Sequence, residues 1–282
     1  MNRTKIEWCD RTWNPVTGCL HGCEYCYARG LANRFKGGGY GKERGMFIAP
    51  YKPDVFKPPY VLDEQQLAAT KDGWYREAPY PFGFEPTFHR YRLGEPKRLK
   101  EPQNIFVVSM GDIFGSWVPT KWIIDVIDSC LAAPQHRYLF LTKNPARYKD
   151  LQRMAILPQT DNFWYGTTLT NNDDFSRRGY QLYDAFAGTG CKTFLSIEPL
   201  QERLYEKNTM NVQYVDWVIV GAESGNRKGK ATPELLWIVD IAKCCSECRV
   251  PMFMKDSIIP IVGELLMWRQ WPEELKKGVD AR

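Results

Sequence analysis

The chain has 282 residues, of which 44% are hydrophobic and 25% charged, a balance typical of folded globular proteins that argues against disorder as the main state. Its formal net charge of +5 is mild and spread along the sequence, which disfavours nucleic acid as a partner because nucleic-acid-binding proteins usually carry a concentrated basic stripe. No apolar run approaches the roughly 18 residues of a bilayer span, and the charged first ten residues lack the apolar core of a signal peptide, so we predict a cytoplasmic protein with no membrane partner.

The first predicted strand, Trp13–Thr17, runs directly into three closely spaced cysteines, Cys19, Cys23 and Cys26. Clustered cysteines in a reducing compartment favour metal ligation over disulfides. Three thiolates spaced C-x3-C-x2-C can hold three irons of a cubane cluster and leave the fourth iron open. The alternative is a structural zinc site, which takes four ligands, and His21 lies too close to its neighbours to complete a regular tetrahedron.

Residues 27–103 lack the regular spacing of apolar runs that the rest of the chain shows. They contain three consecutive glycines, Gly37 to Gly39, and stretches dense in proline and aromatic residues, such as Y-K-P-D-V-F-K-P-P-Y. The aromatic content argues against simple disorder, so we interpret this segment as an insertion of short helices and ordered loops after the first strand. Two roles stay open for it: a lid over the mouth of the fold, and peripheral packing.

From Asn104 onward, short and continuously apolar runs recur about every 20 to 35 residues, which is typical of strands buried on both faces. We predict these strands at Asn104–Met110, Tyr138–Thr142, Phe163–Leu169, Lys192–Ile197, Trp217–Val220 and Met252–Met254. The intervening segments indicate helices, one N-capped by Thr120 and one opened by Thr232-Pro233. This alternation predicts the α/β class: a full or partial (β/α) barrel of about six to seven parallel strands, in a single domain over residues 1–282.

Polar residues follow each of these predicted strands. Functional groups of (β/α) barrels gather at the carboxyl ends of the strands. The candidates are Gly111, Asp112, Lys143, Thr168, Thr170, Asn171, Ser196, Glu198, Glu223, Ser224, Lys255 and Asp256. Lys143 has the alternative of a solvated lysine at the start of a loop, whereas Glu198, between an apolar strand and Pro199, is hard to explain by packing. Polar groups at six successive strand ends predict one binding pocket.

A second cysteine triplet, Cys244, Cys245 and Cys248, lies late on the last long predicted helix. Cys244 and Cys248 share a face because they are four residues apart, and fraying of the helix end would let all three thiols converge. Three soft thiolates suit a thiophilic ion such as trivalent arsenic, whereas zinc or a second iron–sulfur cluster needs a further ligand. The alternative is packing of the helix by small residues. The remaining cysteines stand alone and are predicted to be small buried hydrophobes: Cys9, Cys130 and Cys191.

The pattern C-x3-C-x-Φ-C, with Tyr25 as the aromatic residue before Cys26, resembles the radical S-adenosylmethionine (SAM) superfamily. The segments W-N-P-V-T-G-C, L-T-K-N-P, S-I-E-P-L, G-A-E-S-G and F-M-K-D further resemble its phage-associated three-cysteine-motif branch, distant relatives of spore photoproduct lyase, from Ile6 to about Ser257. The resemblance implies a [4Fe–4S] cluster on the first cysteine triplet, SAM chelated to the open iron, and an electron donor such as flavodoxin or ferredoxin.

The resemblance also implies roles for the strand-end residues. Gly111 and Asp112 resemble the G-G-E-type turn that binds the SAM amino group, with aspartate in place of glutamate. Lys143 is expected to bind the SAM carboxylate as a point charge, and Tyr25 is expected at the cofactor as the aromatic residue of the motif. Further contacts to SAM and its ribose are expected from Thr168, Thr170, Asn171, Ser196 and Glu198.

The basic-C-C-x-x-C segment resembles the ArsL-type enzymes of arsinothricin biosynthesis, which transfer the 3-amino-3-carboxypropyl group of SAM to trivalent arsenic. This resemblance implies that Cys244, Cys245 and Cys248 present arsenite, a small-molecule substrate, near the barrel mouth and take part in catalysis. Two other functions stay open. One is a 5′-deoxyadenosyl-radical enzyme acting on a nucleic acid, nucleotide or peptide, and the other is a non-enzymatic metal-binding protein.

Overall fold

The computed structural model describes residues 1–36, 58–69, 74–205, 210–225 and 227–276. Within these ranges the strands are β1 (Asn2–Arg3), β2 (Arg11–Trp13), β3 (Val16–Thr17), β4 (Tyr60–Leu62), β5 (Leu67–Ala69), β6 (Tyr75–Glu77), β7 (Thr87–His89), β8 (Asn104–Val107), β9 (Arg137–Thr142), β10 (Phe163–Leu169), β11 (Lys192–Ile197), β12 (Trp217–Val220) and β13 (Met252–Met254). The helices are α1 (Tyr27–Arg34), α2 (Thr120–Leu131), α3 (Ala146–Arg153), α4 (Asn172–Asp174), α5 (Tyr180–Phe186), α6 (Leu235–Cys248) and α7 (Ile259–Val262), with a π-helical turn at Phe175–Gly179.

An eight-stranded sheet in the order β1-β2-β8-β9-β10-β11-β12-β13 forms the centre of the molecule. Only the β1–β2 pair is antiparallel, and the seven strands from β2 to β13 are parallel. In the described part of the chain the sheet keeps two edges, so it forms a partial barrel. The apolar runs at β10, β11, β12 and β13 have the predicted bounds, because each is buried along its whole length or all but its first residue.

The predicted strand Trp13–Thr17 is wrong, because Pro15 interrupts it. β2 ends at Trp13, and β3 pairs instead with β7 in a separate three-stranded sheet, in the order β3-β7-β4. Proline donates no backbone hydrogen bond and restricts the residue before it, so the chain changes partner at this point. The strand predicted to reach Met110 stops at Val107, because Val108 turns the chain with a φ of 60°.

The helices begin close to their predicted starts. α2 begins at Thr120, but Pro119 takes the N-cap position. α6 begins at Leu235 rather than at Thr232-Pro233, and its N-cap is Glu234. Among the described residues, no helix combines the length and the apolar character needed to cross a membrane.

The concave side of the sheet is filled by aromatic side chains, including one from outside the sheet. Trp8 lies between β1 and β2 in sequence, and its ring centroid is 4.6 Å from that of Phe106 on β8 and 6.4 Å from that of Trp217 on β12. Three strands separate β8 from β12, and neighbouring strands lie about 4.8 Å apart. One ring can contact both only because the sheet curls, so Trp8 closes the floor of the partial barrel.

The described part of the predicted insertion contains α1, β4 and β7 against β3, and a hairpin of β5 and β6. Gly37 to Gly39 and the segment Y-K-P-D-V-F-K lie outside the described residues. Phe84 is the one described side chain beyond α1 in this segment that reaches the central cavity. The choice between lid and peripheral packing stays a prediction.

Candidate active site at the carboxyl ends of the strands

A cavity of about 410 Å³ lies where the parallel strands end. Its wall combines the first cysteine loop, the strand-end turns and the N-terminal segment before β2. The lining residues used below are Glu7, Trp8, Cys19, His21, Cys23, Tyr25, Cys26, Tyr27, Gly111, Asp112, Lys143, Thr168, Ser196, Glu198, Glu223, Ser224 and Lys255. The structure therefore brings the three cysteines and most of the predicted strand-end residues together in one chamber.

The cysteine loop is attached to the fold by glycine at its first position. Gly18 has a φ of 86° and would place a Cβ 2.2 Å from the carbonyl oxygen of Glu85, so no other residue fits there. Gly18 also forms a parallel bridge with Gly111, directly after β8. At the other end of the loop, Cys26 is the N-cap of α1, and its Sγ accepts from the backbone N–H of Arg29 at 3.4 Å. Both ends of the loop are thus anchored, and the three thiols stay on the cavity wall.

The donor set of this loop fits an iron–sulfur cluster. Cys19, Cys23 and Cys26 are free, half-buried thiols on one wall. Burial raises the pKa of Cys19 to about 12, so metal binding there has to displace a proton. Among the described residues, no three His, Cys, Asp or Glu side chains converge as the ligands of a single metal ion do. Zinc stays an alternative at this loop, but three thiols would leave one of its four positions to a further ligand.

Asp112, predicted to contact the SAM amino group, is buried and already fully hydrogen-bonded. Its carboxylate accepts from His21 Nε2 at 2.7 Å, from Thr142 Oγ1 at 2.8 Å, and from the backbone N–H groups of Lys143 and Phe114 at 3.0 Å each. Burial alone would raise its pKa, but the hydrogen bonds and the charge of His21 hold the pKa below its ordinary value. Asp112 thus ties the cysteine loop, through His21, to the ends of β8 and β9.

Lys143 extends from the end of β9 to the cysteine loop. Its Nζ donates to the hydroxyl of Tyr25 at 2.8 Å and lies 5.0 Å from the centroid of that ring. Burial lowers the pKa of Lys143, and the charge of Cys23 opposes this shift most strongly. The half-buried ammonium group is thus held against the cysteine loop, whereas its binding of SAM stays a prediction.

Glu198, at the end of β11, crosses the neighbouring strand to reach Lys255 at the end of β13. The Lys255 Nζ lies 2.5 Å from Glu198 Oε1 and 4.0 Å from a carboxylate oxygen of Glu7. Between them, a Cβ on Gly221 would lie 3.0 Å from Glu198, so glycine after β12 leaves the path open. Two strand ends and the N-terminal segment thereby share one ion-pair network.

The remaining strand-end candidates divide into two groups. Thr168 and Ser196 line the cavity, as do Glu223 and Ser224. Asn171 and Thr170 do not line it: the side chain of Asn171 accepts from Asp174 N as the N-cap of α4, and Thr170 Oγ1 donates to Asp174 at 2.8 Å. Asp256 lies outside as well and pairs with Arg269.

Reasoning from strand ends missed several residues of the wall. Glu7 and Trp8 come from the connection between β1 and β2, so no periodic signal pointed to them. His21 was considered only as a zinc ligand. Tyr27, directly after the last cysteine, places its hydroxyl on the carbonyl of Ser109 at 2.8 Å and leaves about half of its ring exposed. The position of Tyr27 beside the motif was the available signal.

The second cysteine triplet lies near the amino ends of the parallel strands, on the side opposite the cavity. α6 starts beyond the carboxyl end of β12 and runs back, so that Cys244, Cys245 and Cys248 come just before β13 begins. The helix stays regular to Cys248, and Cys245 is fully buried in the outer core. The expected fraying and the expected position at the barrel mouth are therefore wrong. Binding of arsenite by these thiols stays a prediction.

Comparison with known proteins gives a family and a fold. The family model described as "Protein of unknown function (DUF5131)" matches residues 3–258. No curated protein matches the chain in sequence. Among solved structures, a cysteine-to-alanine mutant of spore photoproduct lyase with a dinucleoside spore photoproduct is similar at a TM-score of 0.52 and 10% identity, covering 90% of this chain and 78% of that one. A cysteine-to-serine mutant of the same lyase is similar at a TM-score of 0.51 and 10% identity, with the same coverage. At such identities the likeness concerns the fold alone.

Proposed function

From its membership of the DUF5131 family and the geometry of its own cavity, we propose that this chain is a radical SAM enzyme that carries a [4Fe–4S] cluster on Cys19, Cys23 and Cys26. The observation that supports the proposal is the presence of three free thiols on one wall of a cavity at the carboxyl ends of parallel strands. Three protein ligands leave one iron of a cubane open, and that iron binds SAM. When bound, the reduced cluster supplies the electron that cleaves a carbon–sulfur bond of the sulfonium.

The residues of this chain would hold SAM between the cysteine loop and the strand ends. The ammonium group of Lys143 has three N–H donors, and one of them donates to Tyr25. The others would bind the SAM carboxylate. Glu198, Thr168 and Ser196 would face the ribose. Trp8 and Phe106 form an apolar floor that keeps water from the reacting atoms. Asp112 would not contact SAM itself; it would orient His21 in the cysteine loop through their hydrogen bond.

The substrate proposed for this site is a nucleic acid, a nucleotide or a peptide, attacked by a 5′-deoxyadenosyl radical. The half-exposed ring of Tyr27 on the cavity wall is suited to stacking on a planar group. The structurally similar lyase is described with a dinucleoside spore photoproduct, so the mild net charge of this chain does not by itself disfavour nucleic acid. Transfer of the aminocarboxypropyl group to arsenic has no comparable support, since the second cysteine triplet lies near the amino ends of the strands, on the side opposite the cavity.

The test is anaerobic reconstitution with iron and sulfide, followed by dithionite and SAM. Wild-type protein should hold about four irons per chain and release a nucleoside from SAM. Replacing Cys19, Cys23 and Cys26 together by alanine should abolish both. The matched control is Cys191→Ala, another half-buried free thiol, which lies at the amino end of β11 outside the cavity and should keep both properties. A triple variant that cleaves SAM at the wild-type rate would end the proposal.

The nucleoside product separates the candidate reactions. 5′-Deoxyadenosine is expected for the radical route, whereas methylthioadenosine would indicate aminocarboxypropyl transfer. The absence of either product from protein that holds its cluster would favour a non-enzymatic metal-binding role. A reduced flavodoxin or ferredoxin should replace dithionite as the one-electron donor.

A further inference from the structure

The connection between β1 and β2 forms one continuous strip of the cavity wall, because every residue of Thr4–Trp8 lines the cavity. The strip is packed against the fold: Glu7 accepts from the backbone N–H of Asp256 at 3.0 Å, and Trp8 is 2% exposed. Lys5 belongs to this strip and is exposed to solvent while it lines the cavity. Its ammonium group is therefore available at the mouth of the chamber on a segment that is held in place.

The cations of the cavity wall differ in what they already bind. Lys143 donates to the hydroxyl of Tyr25 at 2.8 Å, and Lys255 pairs with Glu198 at 2.5 Å. Within the part of the chain that the structure describes, the side chain of Lys5 forms no ion pair and no hydrogen bond. Lys5 is thus the wall cation whose donors are all left for a ligand.

The carboxylates of the described wall do not compensate this charge, because each has a basic side chain of its own beside it. These carboxylates are Glu7, Asp112, Glu198 and Glu223. Glu223 is the most fully paired, since it accepts from Nε and Nη2 of Arg227 at 2.6 and 2.8 Å. With the wall carboxylates neutralised in this way, the positive charge of Lys5 favours an anionic group at the mouth.

Tyr27 adds a fixed aromatic surface to the same cavity wall. Its hydroxyl donates to the carbonyl oxygen of Ser109 at 2.8 Å, and its backbone begins α1, so the side chain is anchored at both ends. The ring is nevertheless 56% exposed. A planar group can stack on a ring that is already ordered without the entropic cost of fixing it.

We propose that the substrate of this chamber is a phosphate-bearing nucleotide unit, with its phosphate bound by Lys5 and its base stacked on Tyr27. The inference rests on the proposed function and narrows its substrate class. A lysine binds phosphate as a point charge, through up to three N–H donors. Every nucleotide carries an anion and a planar ring together, whereas a peptide offers both only where an acidic and an aromatic side chain lie close together.

The test is equilibrium dialysis on reconstituted, unreduced protein saturated with SAM, so that binding is measured without turnover. The probes are thymidine, thymidine monophosphate, a single-stranded oligothymidylate and the dipeptide tyrosyl-aspartate. The nucleoside probes lack the adenine of SAM, so they do not compete for its site. Iron content and SAM binding are measured first on every variant.

Lys5→Met should weaken binding of the two phosphate-bearing probes by about tenfold, because a charge-assisted hydrogen bond is lost, and should leave thymidine unaffected. Lys5→Arg, which keeps the charge, should bind as wild type does, and Tyr27→Leu should weaken binding of all three nucleoside probes. Added salt should weaken the binding of thymidine monophosphate to wild type more than to Lys5→Met. Lys97→Met is the matched control, because Lys97 is also exposed but lies outside the cavity.

Tighter binding of the oligothymidylate than of the mononucleotide supports the inference and indicates a nucleic-acid strand, whereas the reverse order supports it and indicates a free nucleotide. Equal affinity of wild type and Lys5→Met for both phosphate-bearing probes overturns it, as does a wild type that binds neither. Tighter binding of the dipeptide than of either overturns it in favour of a peptide. A wild-type chain that holds neither cluster nor SAM overturns the proposed function itself, and the measurements made first distinguish that failure.

Discussion

Asp112 has two carboxylate oxygens and four donor groups around them, two on side chains and two on the backbone. These donors favour the charged form of the buried carboxylate, because a neutral group accepts hydrogen bonds less strongly than an anion does. The side chain therefore joins three segments: the cysteine loop, the turn after β8 and the end of β9. Its contribution to the site is positional.

Replacing Asp112 by asparagine should destabilise the protein by about 3–5 kcal/mol, because the amide places a donor against existing donors and leaves His21 without its anion. Urea unfolding measures the loss. Asp150→Asn is the control, since Asp150 forms an exposed pair with Arg153, and it should change the free energy of unfolding by less than about 0.5 kcal/mol. Equal stability of the two variants would contradict the positional role of Asp112.

The same carboxylate gives stability a defined pH dependence. Its pKa is lower in the folded chain than in the unfolded chain, where aspartate titrates near about 3.9. The contribution is therefore fully present above the unfolded pKa and is lost as the pH falls through the folded pKa. The difference in unfolding free energy between wild type and Asp112→Asn should be larger at about pH 5 than at about pH 3, and it should shrink below about pH 4. If this free-energy difference grows as the pH falls, the pKa of Asp112 is raised by folding rather than lowered, and the argument is refuted.

At the scale of elements, the glycine after β12 allows a side chain from the end of β11 to form an ion pair with a side chain from the end of β13. The side chain of Glu198 passes over Gly221 to reach Lys255, and the gap admits no methyl group without movement of the carboxylate. No positive φ is required at Gly221, so alanine there acts on the neighbouring side chain rather than on the backbone.

Gly221→Ala should displace Glu198 from Lys255 and weaken SAM binding several-fold, with a change in unfolding free energy within about 1 kcal/mol. Equilibrium dialysis with labelled SAM on reconstituted protein measures the binding. Gly94→Ala is the control, because a Cβ at Gly94 meets open space and its φ is ordinary. Unchanged SAM affinity in Gly221→Ala would separate the Glu198–Lys255 pair from SAM recognition.

The elements also show how far the sequence predicts this protein. β10, β11, β12 and β13 have the predicted bounds because burial on both faces leaves a continuous apolar run that periodicity detects. The break after β2 was missed, although Pro15 marks it, because the flanking residues favour strand. The wall contributed by Glu7 and Trp8 could not be predicted, since their contacts to β8, β12 and β13 join residues far apart in sequence. Local pattern thus predicts strands and their polar ends, whereas closure of the site depends on long-range packing.

At the scale of the whole molecule, Trp8 closes the floor of the partial barrel. It is 2% exposed and contacts rings from β8, β11 and β12. It also forms part of the cavity floor, so the packing that stabilises the fold and the shape of the site depend on one residue.

Trp8→Ala should cost about 3–5 kcal/mol of unfolding free energy, as expected for a large side chain removed from a well-packed core. Thermal and urea unfolding measure the loss. Leu265→Ala is the control: Leu265 is fully exposed, so its truncation should have almost no effect on stability. If Trp8→Ala is as stable as this control, the N-terminal segment is peripheral and the floor of the cavity is formed by the strands alone.

Hydrogen bonds between residues far apart in the sequence have a consequence for biosynthesis. Glu7 accepts from the backbone N–H of Asp256, and Asn104 donates to the carbonyl of Leu275, so each of these contacts joins residues that are far apart in the sequence. A ribosome releases these partners in order, and domains complete their packing only when their last contacts emerge. The chamber therefore acquires its Lys255 wall only after the segment that contains Lys255 has left the ribosome. The cysteine loop emerges well before that segment, so the wall of the chamber is completed only after the three thiols are already outside the ribosome.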